Sequence, residues 1–598
     1  MSIRQSFWQR ILRRHGFTRA ESTAVAEEEM EQKRKPSGWK CMPYIIGNET
    51  FEKLAGAGLV ANFTVYLIRE FHMEQVKAAN VVNIFFGTTN FAPLVGAFFS
   101  DAYVGRFKTL AFSSVASFLG MVTLTLSAVV RQFRPPRCPT TTFSNSQTSH
   151  CSPPSVRNLS VLYLSMALLA IGAGGIRPCS LPFGVDQFDR TTEEGRRGLD
   201  RFFNWYYFTS TLALFVSMSV MVYVQDTLSW KIGFGIPTVL MLVAIVLFFL
   251  GTRLYVHVPP EGSVFSGIVR VFVAAFRKRR LSQQDTPEML HNPPLLNSNV
   301  TPLSLTPQFA WLNKAAVPSA DDGGSPWRLC TLQQVEEVKC LIGIIPIWFS
   351  GITCFVALGQ QWTFAVLQSL KMDRHLGPHF EIPPGAVGTV AMLGLALFIP
   401  IYDLVLVPAA RSVTGIPNGI TLLQRQGVGL VISVFSMVAA AVLEKQRRED
   451  SLSRGGRGGA GAMSVLGLAP QLLVMGVAEA FNGVGQIEFY NRQFPEHMQT
   501  LAGSLFFCSL AGASYLSSVL VAVVRRETAG EGRRSWLEDD IDRGRLDYFY
   551  YLIAGMGTLN FVYFLVCARH YRYKGGVDAV ACDWKGGSEG GLRVEKSV

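Results

Sequence analysis

Apolar residues in this chain gather into about twelve long runs, at roughly 42–68, 76–99, 108–130, 159–182, 203–224, 231–256, 340–367, 385–407, 419–443, 467–490, 501–524 and 548–568. A helix that crosses a bilayer needs about 20 mostly apolar residues, so each run predicts one spanning helix. A closed barrel also satisfies its backbone inside lipid, but it needs segments of alternating polarity about ten residues long, which these runs lack. The expected fold class is an all-α membrane protein, with 12 transmembrane helices in two six-helix bundles.

The runs divide six and six around a polar segment, 257–338, that is much longer than the other connections. The expected organisation is a tail at 1–40, a first bundle at 41–256, the linker at 257–338, a second bundle at 339–570 and a tail at 571–598. Ser263 to Arg280 reads as an amphipathic helix ending in Arg277-Lys278-Arg279-Arg280, which either lies on an anionic cytoplasmic leaflet or is an ordinary solvated basic connection. Residues 281–325 are rich in Pro, Ser and Asn and read as disordered. Thr331 to Gln334 has the spacing of a capping box ahead of the seventh span. Carriers built from two pseudo-symmetric halves with a mid-membrane site have this organisation, although here it rests on counting, since no repeat is visible in the residues.

Against this apolar background the intramembrane charges stand out. Glu49, Glu52 and Lys53 lie in the first run at i, i+3 and i+4, and so share one helix face. At roughly 2.5–3.5 kcal/mol per charge at a helix centre, three facing lipid would cost about 8–10 kcal/mol, so they must face the bundle interior or a watery cavity. Two acids able to take up protons beside a positive charge are what a proton-driven carrier needs. In the fourth run, Gly172-Ala173-Gly174-Gly175-Ile176-Arg177-Pro178 sets a cation among small residues that allow close helix approach. Arg177 either binds an anionic substrate in bidentate fashion or pairs structurally with Glu49 or Glu52. Glu479, in the tenth run, meets substrate, pairs with Arg177, or does both. In the seventh run Gln360, Gln361, Trp362 and Thr363 form a polar and aromatic cluster, and Gln360 and Trp362 are candidate substrate contacts; a satisfied interhelical contact is the alternative.

Between the second and third runs, Asp101, Gly105, Arg106 and Lys108 make a short loop with an acid, a turn-permitting glycine and two cations, expected to act as a cytoplasmic gating latch. Its pattern, Gly96 through Lys108, resembles the signature loop of the major facilitator superfamily; a generic basic loop is the alternative.

The 598 residues are 49% hydrophobic and only 16% charged, so the net charge of +12 reflects basic loops and tails rather than a nucleic-acid surface. Eight Lys and Arg residues between Arg4 and Lys35 place the N-terminus in the cytoplasm, and an even span count places the C-terminus there too. Arg131, Arg134, Arg137, Arg157, Arg447, Arg448, Arg454 and Arg457 fall in predicted outer loops and break the rule. No removable signal peptide is expected. Cys138 and Cys151, in the polar loop after the third run, are a candidate disulfide pair. No His/Cys spacing suggests a metal site and no nucleophile–base pair suggests an enzyme.

Longer motifs carry a more specific likeness. Gly38-Trp39-Lys40 through Glu49-Thr50-Phe51-Glu52-Lys53-Leu54, Gly174 to Pro178, Phe183-Gly184-Val185-Asp186-Gln187-Phe188-Asp189 and Phe202 to Phe208 resemble the plant nitrate and peptide transporter family. So do Ile401-Tyr402-Asp403, Leu423-Gln424-Arg425, Gly485 to Phe489, Gln493 to Glu496 and Gly544 to Tyr550, so the likeness spans roughly residues 38–574. It implies the major facilitator fold and proton-coupled symport by the proton-dependent oligopeptide transporter mechanism, with Glu49 and Glu52 handling protons. The motif's usual final Arg is Lys53 here and the usual Lys of the fourth-span motif is Arg177, an exchange similar to the glucosinolate and low-affinity nitrate carrier subgroup. The histidine that well-known nitrate carriers of the family use in the seventh span aligns with Leu358, which leaves Arg177 or Lys53 to bind nitrate.

The expected function is a plasma-membrane symporter, or a vacuolar one, importing nitrate with protons. A glucosinolate-like glycoside or a plant hormone such as gibberellin or abscisic acid is the alternative substrate. A membrane solute sensor and a passive channel are the alternatives of other classes. The expected partners are a small anionic solute, protons as coupling ion and the lipid bilayer, with no cofactor, no nucleic acid, and a monomer or loose homodimer.

Overall fold

The computed structural model describes residues 38–136, 153–189, 192–258, 264–280, 290–293, 303, 305–319, 325, 327–377, 380–416, 419–454, 463–494, 499–530, 535–571 and 573. Cys138, Cys151 and most of both tails lie outside the described residues. Among those described, 11 helices are long and apolar enough to cross a membrane, or up to 12 if the bent pair Met42–Val60 and Phe63–Arg69 is one span.

The first half comprises α1 (Met42–Ala61), α2 (Phe63–Arg69), α3 (Gln75–Phe99), α4 (Arg106–Val129), α5 (Val156–Val185), α6 (Glu193–Val216) and α7 (Trp230–Leu250). After α8 (Val264–Arg277) come α9 (Leu332–Ser369), α10 (Thr389–Ile401), α11 (Val407–Thr414), α12 (Leu422–Ser453), α13 (Ala469–Gln493), α14 (Gln499–Thr528) and α15 (Leu546–His570). The first run, expected as one helix, is bent by 42° between α1 and α2. Asn62 sits there with φ −110° and ψ 10°, outside helical geometry. The capping box expected at Thr331 and Gln334 forms in both directions, and α9 therefore starts eight residues before its apolar run. The seventh and ninth spans both outrun their apolar stretches because polar turns continue the helix beyond the region that lipid demands.

The linker departs from expectation. Residues 310–316, within the stretch that reads as disordered, form a 3-10 helix whose Leu312, Ala315 and Ala316 share a small core with Val271, Ala274 and Ala275 of α8 and Val335 and Val338 of α9. One face of α8 is thus neither solvated nor on lipid.

The two halves repeat a device that counting alone did not reveal. In each, the second span contains a π-helical turn, Ser100–Val104 and Tyr402–Leu406. In each, an arginine in the first turn of the third helix reaches a carboxylate at the end of the fourth, Arg106 to Asp186 at 2.6 Å and Arg425 to Glu488 at 3.0 Å. The halves meet where α3 packs along α14. Of the arginines expected in outer loops, Arg134 is pinned on Glu70 at 2.7 Å, and Arg447, which lies within α12, is buried on Glu444 and Asp542.

Within the first half, glycines set how closely the helices approach. A Cβ on Gly96 of α3 would lie 1.9 Å from the Gly174 carbonyl oxygen of α5, and one on Gly172 or Gly175 would lie 2.0 Å from a serine hydroxyl of α4. The small residues around Arg177 therefore wedge α5 against α3 and α4 and hold the guanidinium at a fixed depth. At the end remote from Gly38 and Tyr571, the halves are tied by Arg374–Asp226 at 3.7 Å, Arg525–Glu74 at 3.6 Å and the stacked rings of Tyr223 and Phe380.

Gly96→Val is expected to lower stability by about 3 kcal/mol, since the clash is with backbone that cannot rotate away. Gly555→Ala, with nothing within 4 Å, is the neutral control in a detergent thermal-melt comparison. Asp226→Asn removes a partly buried carboxylate shared by Arg69 and Arg374. It should raise the population opened at that remote end about fivefold, for about 1 kcal/mol, as read by spin-label distances across the end.

Candidate functional site

A cavity of about 1480 Å³ lies between the halves. Its wall reaches Asp101, Arg106, Asp186 and Asn491 at the end nearest Gly38, and stops at Thr64 and Gly385 toward the tied end. Glu52 and Lys53 of α1, Arg177 of α5 and Glu479 of α13 all line it, so four of the charges singled out by the sequence face one another across water-accessible space rather than lipid.

Glu49 stands behind that wall. Its carboxylate is buried and accepts from Tyr206 at 2.7 Å, from Ser180, and from Lys53 at 3.2 Å. The i, i+4 step of α1 brings Lys53 to Glu49, and the other donors come from α5 and α6, so one side chain ties three helices. Glu52 is different. Its Oε2 is buried without a hydrogen-bond partner among the described residues, 3.9 Å from Lys53 Nζ. Lys53 thus sits between one saturated acid and one with an open oxygen, while a third of its own side chain faces the cavity.

Arg177 is held by neutral groups. Its Nη1 donates to Asn90 Oδ1 at 2.7 Å and to the Thr89 carbonyl at 3.3 Å, and its guanidinium lies 5.8 Å from the Phe507 ring of the other half. Of the pairings left open by the sequence, with Glu49, Glu52 or Glu479, none is within ion-pair distance. An uncommitted guanidinium on a cavity wall is suited to an anion. Glu479 faces the cavity from the opposite half.

The seventh-span cluster divides. Trp362 lines the cavity and packs on Gly388, and Thr363 donates to Asn83 of the first half at 3.3 Å. Gln360, expected as a substrate contact, is fully buried and is not part of the cavity wall, and neither of its amide atoms has a hydrogen-bond partner among the described residues. One residue's difference on a helix rotates a side chain by about 100°, which is why the adjacent Gly359 and Leu358 line the cavity and Gln360 does not.

In the loop between α3 and α4, Gly105 has φ +84°, a conformation that glycine adopts without penalty, and starts α4 so that Arg106 points back between Asp101 at 4.0 Å and Asp186 at 2.6 Å. Lys108 is exposed. Asp186, Ser180, Tyr206 and Asn90 complete the site and were not singled out by sequence reasoning. Asp186 and Tyr206 do lie inside the family-like motifs, so that signal was present, whereas Ser180 and Asn90 carry none. Among the described residues no cluster of three or more His, Cys, Asp or Glu could hold a metal ion.

The family model described as PTR2, the POT family, matches residues 107–537. The chain is 52% identical over 554 residues to Protein NRT1/ PTR FAMILY 2.13 of Arabidopsis thaliana, covering 91% of this chain and 88% of that one. It is 48% identical over 561 residues to Protein NRT1/ PTR FAMILY 2.12 of the same plant, covering 92% and 95%. Among solved structures, the POT family transporter PepTSo superposes with a TM-score of 0.65 at 20% identity over 89% of this chain and 98% of that one, which establishes the shared fold. The members of this family are transporters rather than enzymes, and coupling to protons needs no cofactor. With a matching model over most of its length and relatives at about half identity, the chain belongs to the POT family of proton-dependent membrane transporters, in its NRT1/PTR branch.

Proposed function

We propose that the chain is a symporter that carries an anionic solute, nitrate first, inward across the plasma membrane together with protons, with both termini in the cytoplasm. The observation that carries this reading is that Glu52, Lys53 and Arg177 line one cavity while Glu49 holds Lys53 from behind. In the cycle, a proton reaching Glu52 or Glu49 releases Lys53 from its carboxylates. Lys53 and Arg177 then present two cations to the anion. Protonated Glu49 also loosens the tie between α1, α5 and α6, so that proton and solute together favour a conformation that neither favours alone.

A second substrate reading has its own support. The cavity exceeds the roughly 300–1,000 Å³ of ordinary small-molecule sites, and Leu358, Phe355, Trp362 and Phe507 give it apolar walls. A glucosinolate-like glycoside or a hormone carboxylate would set its anion at Arg177 and its body against those walls.

Uptake of labelled nitrate and a panel of organic anions in oocytes, with current recording at acidic and neutral outside pH, tests the proposal. Acid-stimulated, substrate-evoked current is expected; no current at all would point to a sensor. Glu49→Gln and Glu52→Gln should each lower acid-stimulated uptake at least tenfold with surface expression unchanged, and flux that survives the double substitution would indicate a passive channel. Arg177→Gln should raise the apparent KM by about tenfold to a hundredfold, the value of a charge-assisted hydrogen bond to an anion, and Arg177→Lys should recover part of it.

A further inference from the structure

The linker helix α8 has two apolar faces, one buried in the linker core and one largely exposed. Val271, Ala274 and Ala275 are buried against the 310–316 helix and the base of α9. A second stripe, Phe265, Val269, Phe272 and Phe276, follows the 4-3-4 spacing of a separate helix face. Of these, Val269, Phe272 and Phe276 are exposed, Phe276 by 65%. Trp311 extends the stripe, its ring 6.0 Å from that of Phe272 and itself half exposed.

Two observations identify what covers this face. The first is continuity: Phe265, where the stripe begins, lies with its ring 6.0 Å from Phe98 of α3. Phe98 in turn packs at 5.7 Å on Phe99 and at 5.9 Å on Tyr103, both of which are exposed at the end of the candidate membrane span Gln75–Val104. The stripe therefore leaves the bundle at the level of the lipid interface. The second is charge. Arg279 lies 4.6 Å over the Phe276 ring and, with Arg277 and Arg280, is exposed at the end of the helix, and residues 264–280 contain no acid. Aromatic rings flanked by arginines and unopposed by carboxylates match the border of an anionic leaflet, with the rings among the upper acyl carbons and the guanidinium groups at phosphate level.

We infer that the outer face of α8, with Trp311, is a docking surface for anionic phospholipid in the leaflet that surrounds the protein, clamping the linker between the bundle and the membrane. The linker core is built by a different face of the helix, that of Val271, Ala274 and Ala275.

Trp311 is a built-in reporter. The full chain would be reconstituted in phosphatidylcholine vesicles with and without phosphatidylglycerol, using lipids brominated on the acyl chain, and the Trp311 signal isolated by subtracting a Trp311→Phe protein. Quenching by bromolipid that increases with phosphatidylglycerol and weakens in high salt is expected. At about fivefold per arginine, Arg279→Gln with Arg280→Gln should reduce the preference for the anionic lipid by about 25-fold. Quenching by aqueous iodide with bromolipid inert would overturn the inference, because the face would then be in water or open to a soluble partner. Bromolipid quenching that ignores headgroup charge and is unchanged in the double variant would overturn it as well.

Discussion

The structure depends on how a buried carboxylate in a lipid-embedded bundle is kept company. Glu49 could not persist in the membrane interior without compensation, and Tyr206, Ser180 and Lys53 supply it from α6, α5 and α1 itself. The same contacts fix where α1 stands against its neighbours, so the ionisation of one side chain and the arrangement of three helices are one variable. Lys53 stands on the cavity wall, and Glu52 is left with an open oxygen beside it.

How much of this was legible beforehand depends on the kind of information each feature needs. The spans were legible because lipid imposes a length and a polarity on every crossing helix, and Glu49, Glu52, Lys53, Arg177 and Glu479 were legible because charge in such a segment has a cost that demands a reason. What stayed hidden was facing. Gln360 and Trp362 are two residues apart in one polar cluster, and only the packing of α9 decides that one lines the cavity and the other is enclosed. The neutral partners, Asn90 for Arg177 and Ser180 for Glu49, were invisible because a Ser or Asn in a membrane helix has no distinctive cost. The linker was misread at residues 310–316 because its core is built from alanines and single aliphatic residues, too sparse for a periodic signal.

The internal repeat shows how a pattern can be present in a sequence without being readable as one. Arg106 with Asp186 and Arg425 with Glu488 occupy matching places in the two halves, and the π-helical turns at Ser100–Val104 and Tyr402–Leu406 precede them. The residue types differ, Asp against Glu and different loop lengths, so alignment by eye fails while the geometry coincides. Both pairs sit at the same end of the bundle, the end at which the cavity reaches Asp101 and Asp186.

The contact of Gly96 with Gly174 has a mechanical consequence. Two helices whose backbones touch cannot slide without separating, so α3 and α5 turn as one piece, and Arg177, Asn90 and Thr89 travel together with their mutual geometry preserved. Because α3 also lies along α14, that piece rolls on the opposite half rather than hinging on a loop. The seam is then a fulcrum: Arg177, 5.8 Å from the Phe507 ring of α14, stays close to the axis, while the far tips of the bundle swing through the largest arc.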